Sequence, residues 1–159
     1  MVRDRPGGFV WFTSIFFDEL DPLGLLHNSR YAVLVERAKA SFNRSQGRNW
    51  ELDPAPNPDQ FYVIREQSFA FLRPIRGTGE IGVHMWLDRL GTTSVTWWFE
   101  ISSAAGLHAT ASRTIVKLDA QTHRPAPWSE SVRKSYALIA RSSPALIGDA
   151  PVIAAGGQR

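Results

Sequence analysis

The sequence predicts an α+β domain in which an antiparallel β-sheet curls around one long central helix. Three observations carry that expectation. The stretch from Ser29 to about Gln46 sets Tyr31, Leu34, Val35, Ala38 and Phe42 on one helical stripe. Four later stretches read as strands, divided by the turns Gly77-Thr78-Gly79, Leu90-Gly91-Thr92 and Ala104-Ala105-Gly106. A sheet so built must bury one face, and the single long helix is its natural cover.

The elements follow in order. Phe9 to Phe17 reads as a buried strand. Asp21-Pro22-Leu23-Gly24 suits a type I turn, with Asp first, Pro second and Gly fourth. The long helix has Gly47 as its stop. A second helix face carries Ala32, Val33 and Ala40 with Glu36 among them, so other structure is expected to wrap it. Asn49 to Asp59 holds three prolines and reads as a loop. Phe61 to Arg73 is a long strand. Glu80 to Asp88 alternates, with Ile81, Val83, Met85 and Leu87 on one face. Ser94 to Ser102 does the same with Val95, Trp97, Phe99 and Ile101, so Trp97 and Trp98 must face opposite sides. His108 to Leu118 is the last strand. The short turns imply hairpins between neighbours. Ser129 is a candidate N-cap for a short helix reaching about Arg141. One domain is expected over residues 1–141, with 142–159, rich in Ala, Gly, Pro and Ser, as a loose tail.

Composition narrows the function classes. At 159 residues, 43% hydrophobic and 21% charged, the chain suits one soluble domain. It has no cysteine, which rules out disulfides, thiol catalysis and Cys-ligated metals. His84, His108 and His123 do not pair at metal-ligand spacing, so no metal is expected. MVRDRPGG lacks the apolar run of a signal peptide. No apolar stretch approaches the roughly 20 residues that cross a bilayer. The expected location is the cytoplasm, without a membrane partner. The net charge of +3 comes from scattered basic residues, which argues against nucleic acid and is compatible with an anionic small ligand. Neither a G-x-S-x-G elbow nor a phosphate-binding glycine loop occurs.

The chemistry centres on Asp21. Its side chain can serve the turn, and a rigid turn can also hold a carboxylate at the mouth of a site. The helix begins just beyond, near His27 to Ser29. Its first amides lack intrahelical partners and carry partial positive charge. Such amides can polarise a carbonyl. A carboxylate and an amide cluster facing one gap suit acyl transfer, with Asp21 as nucleophile or general base. His27 is a candidate to assist proton transfer, or a polar residue at a helix start.

Asp21-Pro22-Leu23-Gly24, then His27-Asn28, Tyr31 and Glu36-Arg37-Ala38, resembles the hotdog-fold thioesterases, in particular the 4-hydroxybenzoyl-CoA thioesterase and YbgC-like branch. That branch has an Asp, a Gly three residues on, a Tyr ten on and an acid fifteen on, here Asp21, Gly24, Tyr31 and Glu36. Leu72-Arg73-Pro74 with Gly79-Glu80-Ile81 resembles the family's second hairpin, and Leu90-Gly91-Thr92-Thr93-Ser94 its next turn. Val116 to Asp119, Arg124-Pro125 and Arg133 resemble its closing segment. The resemblance implies a hotdog fold and an enzyme that hydrolyses acyl-CoA to free acid and CoA, without metal or redox cofactor. It implies a homo-oligomer, a dimer or paired dimers. Asp21 matches the catalytic aspartate, and the Asn28 N–H matches the amide that polarises the thioester carbonyl. Gly24 and Tyr31 fall on the substrate side of the motif. Glu36 matches an acidic helix position; its other reading is an ion pair with Lys39 or a structural hydrogen bond. The aryl-specific enzyme has a basic cluster before the serine matching Ser94, where this chain has Gly91-Thr92-Thr93. Arg89, Thr92 and Thr93 are the candidates for the CoA phosphates, and Ser94 is a further substrate-binding candidate. The alternatives are a hydratase or dehydratase of the same fold, whose Asp–His motif is not found here, and a non-catalytic acyl-CoA binding or sensing domain.

Overall fold

The computed structural model describes residues 7–141. Five strands, β1 (Phe9–Ile15), β2 (Tyr62–Phe71), β3 (Gly79–Leu90), β4 (Ser94–Ser103) and β5 (Gly106–Lys117), form one sheet. Helix α1 spans Asn28–Ser45 and helix α2 Glu130–Ala137. The sheet order is β1-β3-β4-β5-β2, and each pairing is antiparallel. This is the expected hotdog arrangement.

Period-two alternation decides which residues face the helix. Ile81, Val83, Met85 and Leu87 of β3, and Val95, Trp97, Phe99 and Ile101 of β4, are buried with Ala109, Ala111 and Ile115 of β5. They meet Tyr31, Leu34, Val35, Ala38 and Phe42, the stripe expected on α1. Phe42 stacks edge-on to Trp97, their centroids 6.3 Å apart. Trp98 turns to the outer face, where it lies 6.4 Å from Trp86. Ser129 caps α2 by accepting from the Val132 N–H.

Three boundaries differ from expectation. The first strand stops at Ile15, because Phe17–Glu19 form a 3-10 turn in which the buried Glu19 carboxylate accepts from the Phe16 N–H at 3.0 Å. Helix α2 ends at Ala137, and Leu87 N–H then donates to the Ile139 carbonyl at 2.9 Å, tying the following segment to β3. The expected hairpin between β2 and β3 is absent. Two strands stand between them, because β2 pairs with β5 and β3 with β1. The connection is instead pinned to the start of α1: Leu26 N–H donates to the Ile75 carbonyl and Gly77 N–H to the Gly24 carbonyl, both at 2.9 Å. Those bonds carry the chain past the Asp21 turn to the far side of the sheet. The tail expected over 142–159 lies outside the described residues.

Candidate active site

The Asp21 turn is held by its own backbone. Asp21 N–H donates to the Leu25 carbonyl at 2.7 Å, and Gly24 N–H to the Asp21 carbonyl at 2.9 Å. Gly24 sits at φ +70°, in the left-handed region that favours glycine. Oδ1 of Asp21 accepts from the Leu23 N–H at 2.8 Å and the Leu25 N–H at 3.0 Å. One carboxylate oxygen thus anchors the half-buried side chain. Among the described residues, Oδ2 has no hydrogen-bond partner.

The helix start faces the same gap. His27 is the N-cap of α1, and its N–H donates to the Glu19 carbonyl at 3.0 Å. Its Nδ1 accepts from the Ser29 N–H at 3.2 Å and lies 2.9 Å from Ser29 Oγ. An Nδ1 that accepts from an amide carries no proton, so the ring proton is on Nε2. Arg30 N–H donates to the His27 carbonyl at 2.9 Å. The Ser29 and Arg30 amides are therefore occupied, and among the described residues no acceptor meets the Asn28 N–H. That amide opens onto a cleft of about 500 Å³, whose walls include Asp21, Leu25, His27, Tyr31, Phe71 and Pro74. Tyr31 forms its floor, 3% exposed, with its ring edge-on to Phe71 at 5.0 Å. Burial raises its phenol above the ordinary value, partly countered by a hydrogen bond with the Ile75 backbone.

Glu36 lies apart from this cleft. Its carboxylate accepts from Tyr62 Oη at 3.1 Å and forms an ion pair with Arg113. The ion pair is thus with Arg113 and not with Lys39. Arg113 is 2% exposed and also bonds Gln67 of β2 and the Ala32 carbonyl. Lys39 is buried, with Nζ 3.8 Å from the centre of the Tyr62 ring and no hydrogen-bond partner among the described residues. Burial pushes its ammonium down to about 7, with Glu36 opposing and Arg113 and Arg48 adding to the shift. The same burial, with the Glu36 charge, pushes the Tyr62 phenol well above its usual range.

This buried cluster is not anticipated by the sequence reading. One signal for it exists: the alternation of Ala109, Ala111 and Ile115 puts Arg113 at an inward position of β5. Beside it opens a cavity of about 330 Å³ at the C-terminal half of α1, whose lining includes Glu36, Arg44, Arg48, Asp59, Tyr62 and Tyr136. Asp59 pairs with Lys117 at 2.9 Å. Burial works to raise the Asp59 carboxyl, but hydrogen bonds from Lys117 and Ser129 bring it below the ordinary value.

Arg89, Thr92, Thr93 and Ser94 sit at the β3–β4 turn. The Thr92 carbonyl accepts from Trp128 N–H at 3.0 Å and the Thr93 carbonyl from Lys117 N–H at 2.8 Å. Strand β3 begins near the Asp21 turn and ends at this one, so the two lie at opposite ends of a twelve-residue strand, at most roughly 35 Å long. One chain alone does not bring these residues to Asp21.

A family model described as the thioesterase-like superfamily matches residues 16–135. Solved structures share the fold. One is a thioesterase complexed with coenzyme A and Zn from Thermus thermophilus, 25% identical, covering 83% of this chain and 94% of that one at a TM-score of 0.67. A 1,4-dihydroxy-2-naphthoyl-CoA thioesterase from Synechocystis is 18% identical, covering 82% of this chain and 96% of that one at 0.73. A DHNA-CoA thioesterase from Staphylococcus aureus is 16% identical, covering 80% and 87% at 0.69. No curated protein matches the chain.

Proposed function

The chain belongs to the thioesterase-like superfamily, a thioester hydrolase by that membership, and from this premise we propose that it hydrolyses acyl-CoA to free acid and CoA at the Asp21 cleft. The observation that carries this reading is a carboxylate anchored by Oδ1, with Oδ2 unpartnered, beside the open Asn28 N–H. The Asn28 amide and the helix dipole stabilise the oxyanion that develops on the thioester carbonyl. As general base, Asp21 takes a proton from water, the resulting hydroxide adds to the carbonyl carbon, and the C–S bond breaks. The departing CoA thiolate then takes up that proton. As nucleophile, Oδ2 displaces the thiolate directly, and water cleaves the resulting mixed anhydride. Tyr31 and Gly24 shape the floor and the turn. His27 holds the helix start and lines the cleft. The neighbour bound to coenzyme A supports a CoA thioester as substrate class.

The working unit of this reading is a two-fold homodimer joined at β2. Strand β2 is an edge strand, and it exposes Val63, Ile64 and Phe71 at 48%, 48% and 55%. An apolar, unpaired edge needs covering. Antiparallel pairing of β2 with its counterpart extends the sheet and completes each site across the interface. Arg89 and the β3–β4 turn then reach a CoA phosphate only from another subunit.

Free-thiol release from a panel of short, long and aromatic acyl-CoAs tests the activity. Asp21→Asn keeps most of the turn's hydrogen bonding and is expected to fold, yet to lose ~10²–10⁴-fold in rate. Saturable acyl-CoA binding without thiol release would assign a binding module instead. Light scattering at micromolar concentration tests the dimer; a fully active species at 17.8 kDa, the mass of one chain, would refute the shared site.

A further inference from the structure

The cavity at the C-terminal half of α1 has an unbalanced charge. Its acids are already neutralised from within: Glu36 by Arg113 and Tyr62, Asp59 by Lys117. Its cations have no such close partner, although Asp59 acts on Arg48 from farther off. Arg48 is half-buried, donates to Asn43 Oδ1 at 3.2 Å and lies 5.7 Å from the Tyr136 ring, with no carboxylate at ion-pair distance among the described residues. Arg44 has none either. Behind the Tyr62 ring sits the Lys39 amine, 1% exposed and without a hydrogen-bond acceptor. Rings and the Val132 side chain make the wall, and about 330 Å³ is within the size range of small-ligand pockets.

The position of this cavity gives it a use. The Phe71 end of β2 borders the Asp21 cleft, and the Tyr62 end borders the cavity. Antiparallel pairing of two β2 strands centred on Glu66 and Gln67 sets Phe71 of one copy beside Tyr62 of the other. Each Asp21 cleft then abuts the second copy's cavity. We propose that this cavity receives the distal end of the acyl group held at the facing Asp21 site, and that this end is an anion, a carboxylate. The inference rests on the thioesterase reading and the β2 dimer above. A methyl end would desolvate Arg48 without pairing it, whereas a carboxylate pairs with Arg48 through charge-assisted hydrogen bonds, with the exposed Arg44 at the rim adding to the attraction.

Matched thioesters test it: glutaryl- against valeryl-CoA, adipyl- against hexanoyl-CoA, and 4-carboxybenzoyl- against 4-methylbenzoyl-CoA. At least one pair is expected to show kcat/KM ten-fold or more higher for the carboxylate. Arg48→Gln and Arg44→Gln are expected to lower that ratio by ten-fold or more, mainly through KM. Hydrolysis of each pair at equal efficiency overturns the inference and leaves the thioesterase reading standing. Variants that weaken both members of a pair equally also overturn it, since the arginines would then serve the CoA phosphates. No thiol release from any of the six, nor from the wider panel of short, long and aromatic acyl-CoAs, overturns both.

Discussion

The two halves of α1 handle polar groups in opposite ways. At its N-terminal end, Asp21, His27 and Asn28 are held mainly by backbone bonds within the segment from Glu19 to Arg30, and one carboxylate oxygen and one amide are left over. Towards its C-terminal end, Glu36, Lys39, Arg113 and Tyr62 are set by side chains from distant strands, and the acid is consumed. Chemistry needs unspent groups held still, so the first end suits catalysis. The second builds the fold and presents surplus positive charge to its cavity.

That contrast can be broken on the structural side first. Glu36→Gln strips the counter-charge from Arg113, which is 2% exposed and cannot rehydrate. Glu36 is itself 46% exposed, so the pair is buried on the arginine side only, and we expect a loss of ~2 kcal/mol in urea unfolding, between a surface and a buried pair. A loss below ~1 kcal/mol, the range of surface pairs, would mean that the Gln67 and Ala32 contacts suffice to hold the guanidinium.

Lys39→Met gives a pH-dependent effect. The native amine is pushed down to about 7 from 10.5. Between those values the unfolded chain binds one more proton than the native chain, so wild-type stability rises with pH, by about 1 kcal/mol per unit. The gain is absent below about 7 and complete above 10.5. Met at this position removes the slope and stabilises the protein at neutral pH. Parallel slopes for wild type and variant between pH 7 and 9 would show that Lys39 stays charged.

The smallest effect belongs to the other end of the helix. Gly24 has φ +70° and nothing within 4 Å of an added Cβ, so Gly24→Ala is strained only in its backbone. It is expected to cost ~1 kcal/mol by thermal unfolding. A neutral result would mean that the turn relaxes to another form.

The same contrast governs what the sequence shows. The Asp21 turn, the helix stripe and the alternation of β3 and β4 are short-range patterns, and each is visible within a window of a few to about eighteen residues. The Glu36–Arg113 pair spans 77 positions and Tyr62–Glu36 spans 26, so neither has a local pattern. Lys39, three positions after Glu36, suggests an ion pair in the sequence; folding instead puts it under the Tyr62 ring. The β2–β3 connection misleads for a related reason. Glycines at 77 and 79 resemble hairpin chemistry, whereas the bonds that decide the path come from Gly24 and Leu26, some fifty residues earlier. The β3–β4 turn lies far from Asp21 because strand length, not motif order, sets that distance.

The central claim is that the carboxylate of the turn, and not that of the helix, carries the hydrolysis. The direct test is kcat/KM for Asp21→Asn and Glu36→Gln in one thiol-release assay, on the best substrate of the panel, at a temperature where both variants are folded by circular dichroism. Asp21→Asn is expected to fall by ~10²–10⁴-fold while Glu36→Gln keeps most of its turnover. A folded Asp21→Asn variant near wild-type rate, or a dead Glu36→Gln beside it, would contradict the account.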